Sequence, residues 1–478
     1  MTRLIVVSNR VSPVDSAEGG GAQGGLATAI SAALREYSGV WFGWSGQASP
    51  EFTGQISMQR IGGVTVATSD LDEQDIEEYY NGYANRTLWP LFHYRIGLTA
   101  YDRTYDAGYA RVNARFASTL HPLIENDDIV WVQDYHMIPL GRELRQRGVT
   151  NAIGFFLHIP WPARELLVTL PNHRELVEAM FHYDLVGFHT AEWRDAFKSY
   201  VLLEAGGRED PDGCLHAFGR RTRVAAFPIG IDAEAFKAMA QSPVGRETFA
   251  RVEESKLGRK MLVGVDRLDY SKGLEERLRA YQRLLDEEPA LRRQIFLLQI
   301  STHSRGDVPE YQDIAARLDA LSGKVNGANA EMDWVPVRNI HRLHIREELA
   351  GIYRAADVGV VTPLRDGMNL VAKEYVAAQD EADPGVLILS RFAGAASQMR
   401  EALIVNPFSQ EDVADAIRRA LSMDVTERRA RWRALMDGVE RDNVTAWRDN
   451  FVRALTESKQ AARPPVLAAL PLRAGSGA

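Results

Sequence analysis

Short, continuous apolar runs, each bounded by turn residues, recur along most of this chain and constrain its fold more than any other feature. Continuous runs of this length are typical of strands buried on both faces, as in parallel sheets. The segments between them have helical periodicity, as in Leu26, Ile30, Leu34 and Tyr37, which fall on one helix face. The alternation predicts an α/β fold of doubly wound parallel sheets. The predicted strands are Leu4–Ser8, Ile129–Gln133, Ile153–His158, Leu185–His189, Val224–Pro228, Met261–Val265, Ile295–Ile300, Val358–Thr362, Val386–Ser390 and Leu403–Asn406.

The strands fall into two sets, and 478 residues suit two or three domains. We expect the break at Pro228–Asp232, where an apolar run meets Pro and Gly. This gives a first Rossmann-like domain over 1–232 and a second over 233–441. Gly54–Val66 is interpreted as a small β excursion, and the tail 461–478, rich in Ala, Pro and Gly, as flexible.

Composition excludes several classes of function. The net charge of -8 argues against sequence-independent nucleic-acid binding. One cysteine, Cys214, permits no intramolecular disulfide framework. No apolar run approaches the roughly 20 residues that span a membrane, and the first residues lack the pattern of a secretory signal. We therefore expect a cytoplasmic protein without a membrane segment.

Two motif matches carry little weight. Gly19–Gly24 satisfies GxGxxG, but the preceding strand ends near Ser8, too early for a dinucleotide fingerprint, and no acid closes a following strand at the required distance. Asp210-Pro211-Asp212 resembles a metal-binding DxD, but its neighbours are turn residues. Neither NAD nor a metal is expected.

Two basic segments follow predicted strands. Ser8-Asn9-Arg10 with Gly24-Gly25-Leu26 offers free amides at a helix start for a phosphate, although a flexible loop entering a helix fits equally well. Arg267 and Lys272 follow a strand of the second set and suit a diphosphate leaving group. The alternative is a pair of surface ion pairs with Asp266 and Asp269.

The segment Thr362–Glu374 combines a strand end, a tight glycine turn and a helix that starts near Leu370. Its first amides suit an anion, and Glu374 is placed to accept two hydrogen bonds from a ribose diol. Asp366 is a candidate for binding sugar hydroxyls, unless Arg365 pairs with it. The alternative is an ordinary helix start with an acid in its first turn.

A final set consists of Trp41, Tyr80, Trp89 and Arg305. A tryptophan is more often a core residue than a ligand contact. Arg305 follows a strand and precedes glycine, so it is a phosphate candidate or a solvated loop base.

Taken together, the motifs resemble those of the trehalose-6-phosphate synthase family. The resemblance covers residues 3–455. It rests on Ser8–Arg10, Gly24–Leu26, Trp41–Gly46, Tyr79–Asn81, Leu88–Pro90, Asp134–His136, Phe156–Pro160 and the two segments around Arg267 and Asp366, all in family order. It implies the two-domain GT-B fold, with a last helix near 442–460 that packs back onto the first domain.

The resemblance also implies roles for individual residues. The implied donor contacts are Gly24, Gly25, Arg267, Lys272, His344, Asp366, Leu370, Val371, Ala372, Lys373 and Glu374. The implied acceptor contacts are Arg10, Trp41, Tyr80, Trp89, Asp134 and Arg305, with His158 against the transferred sugar. The expected catalytic set is Arg267, Lys272, Asp366 and His158.

The implied reaction moves glucose from a nucleotide-glucose to glucose 6-phosphate with retention. Asp134 is the best candidate for a carboxylate nucleophile, but the resemblance places it on the acceptor and implies a same-face reaction, without metal or cofactor. UDP is the expected donor base, with GDP and ADP open because His344 departs from the usual family residue. A homo-oligomer, dimer or tetramer, is implied. The alternatives are a glucosylglycerol-phosphate synthase, a pseudo-glycosyltransferase or a non-catalytic regulator that binds a sugar phosphate.

Overall fold

The computed structural model describes residues 3–11, 30, 34, 39–61, 63–302 and 309–461 of the chain. Of the helix predicted around Leu26–Tyr37, Ile30 and Leu34 are described; both are helical and buried. The GxGxxG segment Gly19–Gly24 and the tail from 462 onward lie outside the described residues.

The first sheet has ten described strands in the order β3-β4-β2-β1-β5-β6-β7-β10-β9-β8. Pairing is parallel from β4 through β10, and the edge pairs β3–β4, β9–β10 and β8–β9 are antiparallel. The strands are β1 (Leu4–Arg10), β2 (Val40–Ser49), β3 (Ser57–Ile61), β4 (Val64–Asp72), β5 (Ile129–Gln133), β6 (Ala152–Phe156), β7 (Leu185–Phe188), β8 (Arg208–Glu209), β9 (Cys214–Ala217) and β10 (Arg220–Ala226).

The second sheet has six described strands, all parallel, in the order β13-β12-β11-β14-β15-β16. They are β11 (Lys260–Arg267), β12 (Ile295–Thr302), β13 (Val337–Ile340), β14 (Val358–Val361), β15 (Val386–Ser390) and β16 (Leu403–Val405). The central strands of both sheets are almost completely buried, as continuous apolar runs predict.

The described α-helices are α1 (Glu73–Asp75), α2 (Trp89–Phe92), α3 (Arg103–Leu120), α4 (Leu140–Gln146), α5 (Arg164–Leu167), α6 (His173–Met180), α7 (Ala191–Leu203), α8 (Ala233–Gln241), α9 (Pro243–Lys256), α10 (Leu274–Glu287), α11 (Pro309–Asn329), α12 (Arg346–Ala355), α13 (Leu370–Ala378), α14 (Gln410–Ser422), α15 (Val425–Arg441) and α16 (Val444–Ala461). A π-helical segment, Ile76–Leu88, joins α1 to α2. None of the described helices combines the length and apolar character needed to cross a membrane.

The last helix, α16, follows the second sheet in sequence but packs against β6 and β7 of the first. Its Trp447 and Phe451 rings lie 4.8 and 4.6 Å from the ring of Trp131 on β5. The chain therefore passes between the two sheets twice, before α8 and before α16.

Two parts of the fold differ from the sequence prediction. The strands β2 and β13 were not among the predicted runs. The expected β excursion is the hairpin β3–β4, which extends the first sheet through parallel pairing of β4 with β2. Asp210 and Asp212 lie at the turn between β8 and β9, as the turn residues around them predict, and they pair with His216 and Arg221.

Candidate active site

A cavity of about 710 Å³ lies between the carboxyl ends of the two sheets. Open α/β sheets bind ligands at this edge. The cavity is lined by these predicted residues: Arg10, Tyr80, Trp89, Asp134, His158, Arg267, Lys272, His344, Asp366, Leu370, Val371 and Glu374. Residues far apart in sequence thus meet in one cleft, with one wall from each sheet.

Arg267 is the exposed cation at the end of β11. Its guanidinium carbon lies 5.9 Å from the ring centre of Trp89 on the opposite wall. Within the described ranges no carboxylate pairs with it. Arg267 can therefore offer its charge to an anionic ligand.

The side chain of Asp266, beside Arg267, pairs with a different residue. Its carboxylate accepts a hydrogen bond of 2.7 Å from the buried Arg277, which also donates to Gln299 at 2.8 Å and to Thr362 at 3.0 Å. Burial raises the pKa of Asp266, and the charge of Arg277 opposes that shift. The surface pairing of Arg267 with Asp266, considered as the alternative from sequence, does not form.

The second cation, Lys272, forms an ion pair with Asp366. Asn369 donates a further hydrogen bond of 3.0 Å to the same carboxylate. Arg365, the other possible partner of Asp366, instead lies 3.5 Å from Glu192 and stacks over Tyr94. Asp366 therefore joins the cation of one loop to the start of α13.

The turn at Gly367 brings the two walls into contact. A Cβ atom at this position would lie 1.8 Å from the carbonyl oxygen of His158, so no side chain fits here without a shift. Glycine at 367 is thus required by a backbone contact across the cleft.

Helix α13 begins at the cavity after Asn369, whose φ of 69° is in the left-handed region. No side chain caps its first amides, and Leu370 and Val371 line the cavity. Free N–H groups at a helix start are suited to phosphate. Ala372 and Lys373 do not line the cavity, because Ala372 is buried in the core and the Lys373 ammonium lies on the other side of the helix.

Glu374 lies one turn into α13, with a side chain 13% exposed. Burial raises its pKa, and Arg346, 4.0 Å away, opposes this shift. A carboxylate held in this way has two oxygens available to a vicinal diol. Nearby His344 lines the cavity and binds Glu348 through Nδ1 at 2.8 Å.

On the first-sheet wall, Asp134 follows β5 with a φ of 73°, a strained conformation for a side-chain-bearing residue. Its carboxylate accepts the backbone N–H of His158 at 3.1 Å. The His158 ring lies 2.8 Å from Gln133 Oε1. Burial lowers the pKa of His158 well below its usual value, and the nearby His189 lowers it further, so the ring is neutral.

Aromatic rings complete this wall. Tyr80, on the π-helical segment, packs edge-on against Trp44 at 5.6 Å and parallel to His136 at 5.9 Å. Arg10, exposed at the end of β1, lies 5.8 Å from the centre of the Trp44 ring. Trp41 does not line the cavity: it is 2% exposed and its indole N–H donates to Ser8 at 2.8 Å.

Three predicted ligand residues, Gly24, Gly25 and Arg305, lie outside the described residues. Their roles stay predictions. No three His, Cys, Asp or Glu side chains in the described part of the chain are grouped so that they could hold a metal ion.

Several residues of the site were not predicted from the sequence. Arg346 lines the cavity at the start of α12, and His189 lines it directly after β7. Arg277 lies beneath the cavity and joins β11, β12 and the end of β14. His189 ends a predicted strand, so its position was available as a signal, whereas Arg277 sits in a helix with no local signal of its role.

The chain is similar in sequence and in fold to known proteins. Residues 2–457 match glycosyltransferase family 20. A trehalose-6-phosphate synthase of Sinorhizobium fredii is 48% identical over 96% of this chain and 99% of its own length. A UDP-forming alpha,alpha-trehalose-phosphate synthase of Burkholderia xenovorans, solved with glucose-6-phosphate, is 50% identical with a TM-score of 0.91, covering 95% of this chain and 100% of its own. An E. coli structure bound with UDP-2-fluoro glucose is 42% identical with a TM-score of 0.91, covering 95% and 99%.

Proposed function

This chain belongs to glycosyltransferase family 20, and on that premise we propose that it transfers glucose from UDP-glucose to glucose 6-phosphate with retention of configuration. The products are α,α-trehalose 6-phosphate and UDP. The fold is GT-B, with two parallel-sheet domains. The observation that carries the proposal is the meeting of Arg267, Lys272 and the uncapped start of α13 opposite Asp134 and His158 in one cleft.

The donor binds along the second-sheet wall in this proposal. The diphosphate lies between Arg267, Lys272 and the free amides of α13, where positive charge and N–H donors converge. Glu374 accepts hydrogen bonds from the ribose hydroxyls. Asp366 and His158 contact the transferred glucose from opposite walls.

The acceptor binds against the first-sheet wall. Tyr80 and Trp89 enclose the sugar ring, Asp134 accepts from its hydroxyls, and Arg10 and Arg305 bind the phosphate. The position of Trp41 beneath this wall suits a supporting contact through Ser8 rather than direct contact with the sugar.

The chemical step breaks the bond between the glucose anomeric carbon and the diphosphate oxygen, and the bonding electrons leave with UDP. The anomeric hydroxyl oxygen of glucose 6-phosphate then bonds to the same face of that carbon. Its proton passes to the departing phosphate oxygen. The chain supplies position and charge stabilisation, with Arg267 and Lys272 compensating the charge that develops on the diphosphate. No step requires a metal ion or a cofactor.

We further propose the division of the chain into an acceptor-side domain, 1–232 with the last helix, and a donor-side domain, 233–441. The paths of the chain before α8 and before α16 support these bounds. A homo-oligomer, dimer or tetramer, in the cytoplasm completes the proposal. Light scattering on the purified protein tests the assembly.

One experiment tests the reaction. The purified protein is incubated with glucose 6-phosphate and UDP-, GDP- or ADP-glucose in turn, and the product and released nucleotide are identified by NMR. We expect trehalose 6-phosphate and UDP as the fastest pair. Glycerol 3-phosphate serves as the competing acceptor, and faster transfer to it would replace this proposal with the glucosylglycerol-phosphate alternative. Binding of glucose 6-phosphate without any turnover would favour the regulator.

A further inference from the structure

The two passages of the chain between the sheets touch each other. A Cβ atom added at Gly230 in the first passage would lie 2.0 Å from the carbonyl oxygen of Asp442 in the second. The N–H of Val444 donates to the carbonyl of Ile231 at 3.2 Å. We call residues 228–232 and 441–444 together the paired crossing. Because both connections between the two sheets belong to it, any change in the relative position of the sheets must alter the conformation of the paired crossing.

Lys373 binds the paired crossing from helix α13. Its ammonium donates to the carbonyl of Ile229 at 2.7 Å and to Oε1 of Gln398 at 2.8 Å. Gln398 in turn donates to the carboxylate of Asp442 at 2.9 Å. One side chain therefore holds the first passage directly and the second through a single intermediary.

A charge at this position needs an explanation. Lys373 is 1% exposed, and taking an ammonium out of water is unfavourable unless its hydrogen bonds replace those of water. Methionine has a similar volume and would fill the space without that cost. Burial lowers the pKa of Lys373 to about 8, an effect that Asp442 opposes. The hydrogen bonds of this ammonium join helix α13 to the segment at Ile229 and to the segment at Gln398.

The helix that carries Lys373 is also the donor helix of the proposed function. Its first turn lines the cavity, and Glu374 is the next residue after Lys373. On the other side of Ile229, the N–H of that residue lies 3.5 Å from Nδ1 of His189, which itself lines the cavity. The paired crossing is thus contacted from the first wall by His189, which lines the cavity, and from the second by Lys373, which is next to the cavity-lining Glu374.

We propose that Lys373 is a positioning residue that locks the donor helix to both passages of the paired crossing and so fixes the second-sheet wall relative to the first. The identity of the donor rests on the proposed function, whereas the mechanical link does not. The chemical step needs both walls, but most predicted contacts of UDP lie on the second wall alone. Loss of the link therefore impairs turnover more than it impairs UDP binding.

The test compares Lys373→Met, Gln398→Leu and the double variant with a matched control, Lys256→Met. Lys256 is also a buried lysine of the second domain, and it pairs with Glu253 and Asp357 away from the paired crossing. We expect kcat to fall at least about 10-fold in each single variant, while the Kd of UDP measured by calorimetry changes less than about 3-fold. Because both changes cut one link, the double variant should be no slower than the worse single variant. Lys256→Met should retain the wild-type kcat per folded molecule.

Hydrogen exchange without any ligand provides a second readout that does not depend on the reaction. Exchange over 229–232 and 442–446 should rise about 10-fold in Lys373→Met and Gln398→Leu, but not in Lys256→Met. If wild type fails to turn over UDP-glucose and glucose 6-phosphate, the proposed function is wrong and the exchange result still decides the link. A uniform rise in exchange, an unchanged kcat, or parallel losses of kcat and UDP affinity would overturn the role of Lys373. If Lys373→Met does not fold, Gln398→Leu alone decides between these outcomes.

Discussion

The second-sheet wall of the cleft carries Arg267, Lys272 and Glu374, whereas the first-sheet wall presents Tyr80, Trp89 and a neutral His158. The second wall balances its charges in pairs, such as Lys272 with Asp366, and leaves Arg267 exposed for the ligand. On the first wall, burial keeps the imidazoles of His158 and His189 neutral, and the charged side chains that line the cavity are Arg10 and Asp134. Under the proposed function, this difference suits a second wall that stabilises the leaving group and a first wall that encloses a sugar and meets its phosphate with Arg10.

The pKa values of the histidines give the largest expected difference between the first half of the chain, which forms the first sheet, and the second half, which forms the second sheet. Burial lowers the pKa of His93 to about 4 and of His189 to about 3, and it lowers that of His158 well below the usual value. In the second half, burial lowers the pKa of His341, but hydrogen bonds to Asp319 and the Ser301 carbonyl outweigh it and raise the value. The unfolded chain therefore binds more protons than the folded first half below pH of about 6.5.

We expect acid to destabilise the first half selectively. Each pH unit below about 6.5 removes about 1.4 kcal/mol per buried imidazole, or about 4 kcal/mol for these three at pH 5.5. Urea unfolding at pH 7.0 and 5.5, with hydrogen exchange to locate the loss, measures it. His93→Gln should flatten the pH dependence. An equal loss of stability in both halves of the chain at pH 5.5 would contradict this prediction.

Arg267→Ala tests the charged wall. Removing the exposed cation should lower kcat on the order of 10²-fold, because the charge on the departing diphosphate loses a partner. Steady-state kinetics with both substrates saturating measures the change. Arg279→Ala, which removes an exposed arginine paired with Glu275 on α10, is the matched control. Near-normal turnover would remove Arg267 from the mechanism.

Glu374→Gln tests the ribose contact. A hydrogen bond to a charged group contributes about 1.5–3 kcal/mol, so kcat/KM for UDP-glucose should fall about 10- to 100-fold. The donor with a 2′-deoxyribose should lose much less, since it offers one hydroxyl fewer. If both donors lose equally, Glu374 does not contact the 2′-hydroxyl.

Arg10→Ala tests the opposite wall. We expect the KM for glucose 6-phosphate to rise about 10-fold with the Kd of UDP unchanged, because one phosphate contact is lost. Arg305→Ala should behave in the same way. Arg60→Ala, an exposed arginine on β3 of the same sheet, is the control. A change in UDP affinity in place of acceptor KM would assign Arg10 to the donor.

The smallest expected effect is that of a chelator. Activity after treatment with EDTA should equal that of untreated protein, because in the proposed mechanism Arg267 and Lys272 stabilise the leaving diphosphate. Turnover assays before and after dialysis measure this. Loss of activity that Mg²⁺ restores would show that Arg267 and Lys272 do not suffice.

Continuous apolar strands were predictable from sequence, and their ends bracket the site. The run Ile129–Gln133 is β5 with the same bounds, and Val386–Ser390 is β15. By contrast, β2 was missed because its polar and glycine residues, which end in an exposed stretch, break the apolar run. Local periodicity cannot detect a strand that is buried by its neighbours in the fold rather than marked by a continuous apolar run of its own.

The cavity-lining residues at strand ends were also predictable, because parallel strands place their carboxyl ends at one edge. What sequence could not give is the direction of each side chain. Lys373 and Glu374 are neighbours on a helix, yet one faces the paired crossing and the other the cavity. The choice of Lys272 rather than Arg365 as the partner of Asp366 likewise depends on tertiary packing.

The contact of Gly367 with the His158 carbonyl has a consequence for chimaeric enzymes. Two GT-B halves taken from different relatives can be recombined only if their backbones meet at this point as closely as they do here. A second-sheet half with any side chain at 367 would hold the two walls of the cleft apart, even if each half folds by itself. Successful exchange of specificity between relatives should therefore depend first on this one junction and only then on the residues of the two pockets.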